Sequence, residues 1–321
     1  MLSRHAENLF WAGRYSVRAE DTARILDVSY QWSLQARAGT SATLWGGLLD
    51  VLHLEDAFAE TGERADATTV PAFLVWGETN PGSIVYAVGS VRENFRAVRE
   101  QLPLELWRSA NAFYLELANR DLAKDLRLRP FELYALVRTR IQTLSGIVHD
   151  AMLRDEGHRF FLVGAWLERA LMSCRLMSVH ERSVVGGFGD IGLILRAASG
   201  LQAFRRVHHF SSDVDDLATF LLQSADFPRS VRFCIEHAAE QLATLAQRPG
   251  SAGPLRSQRV LGQLGSGLAW GDSAEICRDL PANLDQIEDQ IRDATAAIAA
   301  EFFLLAGGEP LHAQQVFPGG R

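Results

Sequence analysis

The apolar pattern is densest at Phe161–Met177, FLVGAWLERALMSCRLM. Drawn as a helix at about 100° per residue, this stretch is apolar almost all round, which marks a buried core helix. One stripe carries Gly164, Glu168, Leu171 and Arg175. A buried Glu and Arg must be paired or hydrogen-bonded, because isolated charge in a core is strongly unfavourable. Arg169 or Arg175 is the expected partner of Glu168. Gly164 lets a neighbouring helix approach closely. Phe10–Leu26 repeats the pattern without gaps, with Gly13 falling on Gly164, Arg18 on Arg169, Ala19 on Ala170 and Arg24 on Arg175. Val17 stands where Glu168 does, while Glu20 lies on the stripe of Gly13, i,i+4 from Arg24. Two glycine-notched helices, each carrying an acid and an arginine, are therefore expected to meet inside the molecule.

The rest of the chain reads as helices separated by turns. Ser3 caps a helix to about Arg37, and Thr40 or Ser41 starts a shorter one through Leu52. Residues 61–70 are polar and read as a loop. Val70–Val75 and Ser83–Tyr86 are short apolar runs that Pro71 and the helical surroundings assign to helix ends. Asn80-Pro-Gly-Ser83 is a turn delivering Ser83 as an N-cap. Leu104–Arg127 reads as one long helix, and Pro130 opens another to about Leu153. The central helix ends near Val185, before Gly186-Gly-Phe-Gly189. Helices follow at 190–208, 213–225 and 228–247, then a loop from Gln247 to Ser257, and a last helix at 283–306. With no strand–helix alternation, the fold is all-α: a large helical bundle over 1–306. The repeat allows two related halves, 1–153 and 158–306, and leaves 307–321 as a flexible or docked tail.

At 321 residues, 47% hydrophobic and 22% charged, the chain can bury a large core. A net charge of -7 without a Lys/Arg run argues against nucleic acid. The polar N-terminus gives no signal peptide, and no apolar run of about 20 residues predicts a membrane span. Cys174, Cys234 and Cys277 are odd in number and far apart, fitting buried thiols in a reducing cytoplasm.

MLSRHAENLFWAGRYSVRAEDTARIL and WLERA resemble the alpha-E family, helical proteins named for a Glu-Arg motif. Asn80–Ser83, Val91–Arg96, Glu105–Asn111 and Phe227-Pro-Arg-Ser-Val231 extend the resemblance over roughly residues 1–305. The family's first helix usually reads Glu-Arg-Ala-Glu, and Val17 departs from it. The resemblance implies a setting beside, or fused to, circularly permuted ATP-grasp proteins and transglutaminase-like peptidases. A non-catalytic or co-catalytic partner of an ATP-grasp-type ligase is then expected, acting in ATP-dependent peptide or amide-bond formation. ATP and magnesium would sit on the ligase, and this chain, lacking a phosphate-cradling glycine loop, is expected to hold no cofactor.

Two alternatives use this chain's own residues. In one, Glu20 or Glu168 is an acid/base, with Arg14, Arg18, Arg24, Arg169 and Arg175 holding an anion through planar guanidinium forks. Arg14 and Arg18, with Glu7 and Asp21 beside them, fit either a salt-bridged face or one wall of an anion site. Arg229, placed in the first turn of a helix opened by Pro228, opposes the macrodipole and joins the candidates. In the other, Asp213–Asp216 and the Asp121/Asp125 pair hold magnesium-diphosphate as in helical prenyl-type transferases. Helix capping explains the first group, and a solvated face with Arg120 and Lys124 the second. Glu-x-x-His, which a di-metal bundle requires, does not occur, so no metal site is expected.

Overall fold

A computed structural model describes residues 1–34, 41–185, 191–209, 211–247 and 253–303. Among them the fold is all-α, with sixteen α-helices and no strand. In chain order these are α1 (Ser3–Ser33), α2 (Ser41–Leu52), α3 (Glu55–Ala59), α4 (Thr69–Trp76), α5 (Ile84–Ala97), α6 (Leu104–Ala118), α7 (Leu122–Leu128) and α8 (Pro130–Ala151). Then come α9 (Glu156–Val185), α10 (Ile191–Ala197), α11 (Leu201–His208), α12 (Val214–Ala218), α13 (Val231–Leu245), α14 (Arg256–Trp270), α15 (Ser273–Arg278) and α16 (Leu280–Ile298). The helix ends expected at Arg37 and beyond Phe303, the Gly186–Gly189 break and the 307–321 tail lie outside the described residues.

Two compact units divide the chain. Within the described residues, one takes 1–14, 153–178 and 194–303, and the other takes 15–152 and 179–193. In the first unit, α1 and α9 meet backbone to backbone. A Cβ placed on Gly13 would lie 2.1 Å from the Phe161 carbonyl oxygen, and one on Gly164 would lie 2.0 Å from that of Phe10. Only glycine fits on either side of this crossing. Phe10 and Phe160 then reach Phe303, at ring-centroid distances of 5.4 and 5.7 Å, which draws the chain just after α16 onto the pair. Helices α13, α14 and α16 pack in succession around the same core. In the second unit α5, α6 and α8 form a layer, with α4 and α7 beside it, over Tyr15, Phe95, Phe113 and Tyr134.

Local chemistry explains the boundaries. Ser83 accepts from the Tyr86 amide at 3.4 Å, as a cap should, and Asn80 donates to the Phe73 carbonyl at 3.1 Å, tying α4 to α5. The apolar run Val70–Val75 is fully within α4. The expected helix over 104–127 is broken at Asn119–Asp121, because the Asp121 carboxylate accepts from the Lys124 amide at 3.0 Å and starts α7. Asp125 is correspondingly buried and bonded to Arg120 at 2.7 Å, so the expected solvated face is not where it lies. The 190–208 helix is interrupted by Ser199, whose φ of 56° ends α10, and the Gly200 amide bonds back to Leu195 at 2.7 Å. Ser230, accepting from the Phe233 amide at 3.1 Å, starts α13, so Pro228 and Arg229 precede the helix and do not form its first turn. Helices α14 and α15 occupy a stretch the apolar pattern left without elements, since Gly262, Gly265 and Gly267 dilute the helical signal.

The close crossing makes a clear prediction. Alanine has the higher helix propensity by about 1 kcal/mol, yet Gly164→Ala should lower stability by about 1–3 kcal/mol through forced separation of the backbones. Gly262→Ala, with open space around its Cβ, should instead be neutral or stabilising. Urea unfolding of both variants checks this, and stabilisation by Gly164→Ala would refute the crossing.

Candidate functional site

The Glu-Arg residues of the first unit form a buried network along α1, α9 and α16. Glu168 has no exposure to water. Arg14 reaches it from α1, with Nε and Nη2 at 2.7 and 2.6 Å from Oε2. Arg14 also donates through Nη1 to Thr295 Oγ1 at 3.0 Å, and its guanidinium lies 5.4 Å from the Trp11 ring centroid. Glu168 thus draws a partner from 154 residues away, beyond the Arg169 and Arg175 that its own helix offered. Arg175 is 1% exposed and lies 3.8 Å from Glu288 on α16, which Arg292 also contacts at 3.4 Å. Each helix face therefore carries charge that a facing helix neutralises, as burial requires.

Arg169, half-buried, lies over the Trp166 ring at 4.7 Å, and Trp166 packs on Phe233 and His237. Arg229 is half-buried, and its carbonyl accepts from Ser173 Oγ at 2.6 Å. Burial pushes the Cys174 thiol well above its usual range, with Glu288 adding to the effect. That thiol packs in the core of the first unit.

In the second unit, Glu20 and Arg24 pair as their spacing implies, at 2.5 Å. Glu20 Oε1 also accepts from Gln142 on α8 at 3.2 Å, and Arg24 lies 3.9 Å from Asp21. Arg18 is buried with its guanidinium 5.2 Å from the Tyr15 ring centroid. Sequence reasoning missed Asp27, which is buried and held by Arg138 from α8 at 2.5 Å. It also missed Glu288 and Thr295. Glu288 had a legible signal, since it sits among Leu284, Ile287 and Ile291 on the apolar stripe of α16. Glu20 and Glu168, the proposed acid/bases, are 4% and 0% exposed and already hold guanidinium partners.

The acid runs make local contacts in the structure. Asp213 caps α12 by accepting from the Asp215 amide at 3.0 Å. The Ser211 hydroxyl and His208, 3.1 Å away, hold Asp216 below the usual carboxylate range. Among the described residues no group of three or more His, Cys, Asp or Glu is arranged to hold a metal. A shallow groove of about 600 Å³ runs along the outside of α14, lined by Pro254, Arg259, Gly262 and Ser266, and none of the candidate glutamates and arginines lines it. None of the described helices is long and apolar enough to cross a membrane.

An all-helical chain built on buried Glu-Arg pairing is the class these features define. The chain belongs to the Alpha-E family, described as a predicted alpha-helical domain with a conserved ER motif, which matches residues 1–303. Glu168-Arg169 is one of the Glu-Arg dipeptides in the matched region. Uncharacterized proteins of Mycobacterium bovis and Mycobacterium tuberculosis are each 26% identical to it over 342 residues, covering 95% of this chain. It spans only 37% of the length of those relatives. No solved structure matches.

Two measurements test this geometry. Glu288→Ala would remove the carboxylate 3.8 Å from buried Arg175 and should cost about 3–5 kcal/mol in urea unfolding; a cost like that of an exposed pair, about 0–1 kcal/mol, would contradict the burial. Cys277 is half-buried, and burial followed by nearby Asp215 pushes its thiol up to about 11. A raised thiol pKa leaves less thiolate at neutral pH. Its alkylation by iodoacetamide should therefore keep climbing about tenfold per pH unit beyond the ordinary thiol value of about 8.5. A plateau near pH 9 would contradict the shift.

Proposed function

We propose that this chain is a helical accessory protein of an ATP-grasp-type ligase system, presenting substrate or assembling the complex for ATP-dependent peptide or amide-bond formation. The observation that carries the non-catalytic part is the closure of Glu168: fully buried and held by Arg14, it is engaged in joining helices. Glu20 is likewise buried against Arg24 and Gln142. A general acid or base must come within hydrogen-bond reach of substrate, and neither carboxylate is open to one. In this reading the fold contributes binding and positioning.

The ligase setting rests on the family resemblance. Length adds support: the longer relatives devote little more than a third of their chain to this region, as expected if it works beside other modules. In this reading the ligase holds ATP and magnesium, and a transglutaminase-like peptidase is a further partner. The cytoplasm, where ATP is plentiful, is the setting.

Co-expression of the full chain with a circularly permuted ATP-grasp protein from the same genome tests the proposal. A stable co-eluting complex, with ligase ATP turnover raised by the helical chain, is expected. Separate elution together with unchanged turnover would overturn it.

A further inference from the structure

Helices α14 and α16 of the first unit carry opposite charge on the faces they turn to solvent. α14 contains Arg256, Arg259 and no acid, and both arginines are exposed. α16 exposes Asp285, Asp289 and Asp293, spaced i,i+4 along one stripe. The two helices pack antiparallel, joined through the short α15, and the Ser257 amide at the start of α14 bonds Glu301 just past α16 at 3.2 Å. Arg256 reaches Asp293 across the surface at 3.5 Å with both side chains well exposed, so the basic and acidic stripes open on the same side. Arg259, one turn further on, meets no acid among the described residues and folds onto the Pro254 carbonyl at 3.0 Å. Asp289, held by Arg292 on its own helix, still exposes 72% of its side chain. At the far end of α14, Trp270 is 88% exposed. A tryptophan left in water is a large apolar area that association would bury.

The groove of about 600 Å³ along α14 lies between these ends, open to solvent over Gly262 and Ser266. A two-fold axis parallel to the helices, between α14 and α16, seats α16 of one copy in the groove of another in the same antiparallel sense. Rotation about that axis leaves every residue at its own height, so the register between copies follows from the register within the chain. Arg256 is level with Asp293, which brings Arg259 opposite Asp289 of the second copy. Trp270 then comes over Pro281 and Ala282 of the second copy, both exposed at the start of α16. Opposite charges meet along the middle, and the exposed indole meets apolar surface at each end. We propose that α14 and α16 form a self-complementary face through which two copies of this chain pair, α14 of each lying against α16 of the other. A face two helices wide and about 22 Å long buries roughly 1,000 Å² in all, near the lower bound for a specific interface. Association in the micromolar range follows.

Sedimentation velocity of the full chain, from low micromolar to several hundred micromolar, tests the pairing. A reversible monomer–dimer equilibrium with a micromolar dissociation constant is expected. Trp270→Ser and Arg259→Glu should each weaken it at least about tenfold. Adding Asp289→Arg to Arg259→Glu should bring the affinity back to within about threefold of the parent, because the swap rebuilds the same pair with its charges exchanged. All three side chains are exposed, so the melting temperature of the dilute monomer should hardly change, and the series on the unaltered chain needs no variant to fold. A chain that stays monomeric throughout would overturn the proposal. So would a dimer that either single variant leaves unweakened, or a charge swap that stays as weak as Arg259→Glu alone.

Discussion

The packing of the first unit depends on the contact between α1 and α9 at Gly13 and Gly164. Carbonyl oxygens of Phe10 and Phe161 occupy the space where side chains would otherwise stand. At that separation an arginine on α1 reaches the far wall of α9, and Arg14 places two nitrogens on one oxygen of Glu168. The pair is cut off from water, so the desolvation it suffers must be offset by geometry. Two donors on one oxygen, the bond to Thr295 and the Trp11 ring supply it. Lengthening the helix–helix distance by one methyl group would weaken all of these together.

This coupling recasts the Glu168-Arg169 dipeptide. The dipeptide is adjacent in sequence, but its two members point to different surroundings: Glu168 to Arg14, and Arg169 to the face of Trp166. Arg175 and Glu288 continue the same principle two turns before Thr295 on α16, with Arg292 at the edge. Buried ionic groups that need distant partners fix which helices meet and in which register, a role attested for buried polar residues in helical assemblies. The second unit shows the same device between α1 and α8, through Asp27–Arg138 and Glu20–Gln142.

Much of this was readable from the residues. Gly13 and Gly164 announced a close approach because no other residue permits one, and the i,i+4 spacing of Glu20 and Arg24 stated their pairing outright. Ser83 and Asn80 carried their capping chemistry in their side chains. What could not be read is long-range choice: nothing near Glu168 in sequence names Arg14, and nothing near Asp27 names Arg138. Other misses were local competitions. Ser230 outcompeted Pro228 as the start of α13, Asp121 capped a helix that periodicity ran through, and the glycines of α14 hid it. The candidate site follows the same division, with its residue types visible and its partners supplied by the fold.

The most direct test of the central claim is a double-mutant cycle on Arg14 and Glu168, using Arg14→Met, Glu168→Leu and the double variant in urea unfolding. A buried, mutually required pair should give a coupling energy of about 2 kcal/mol or more, with the double variant far less damaged than the sum of the singles. A coupling near zero, with additive losses, would mean that the two charges do not hold the helices together and would contradict the account.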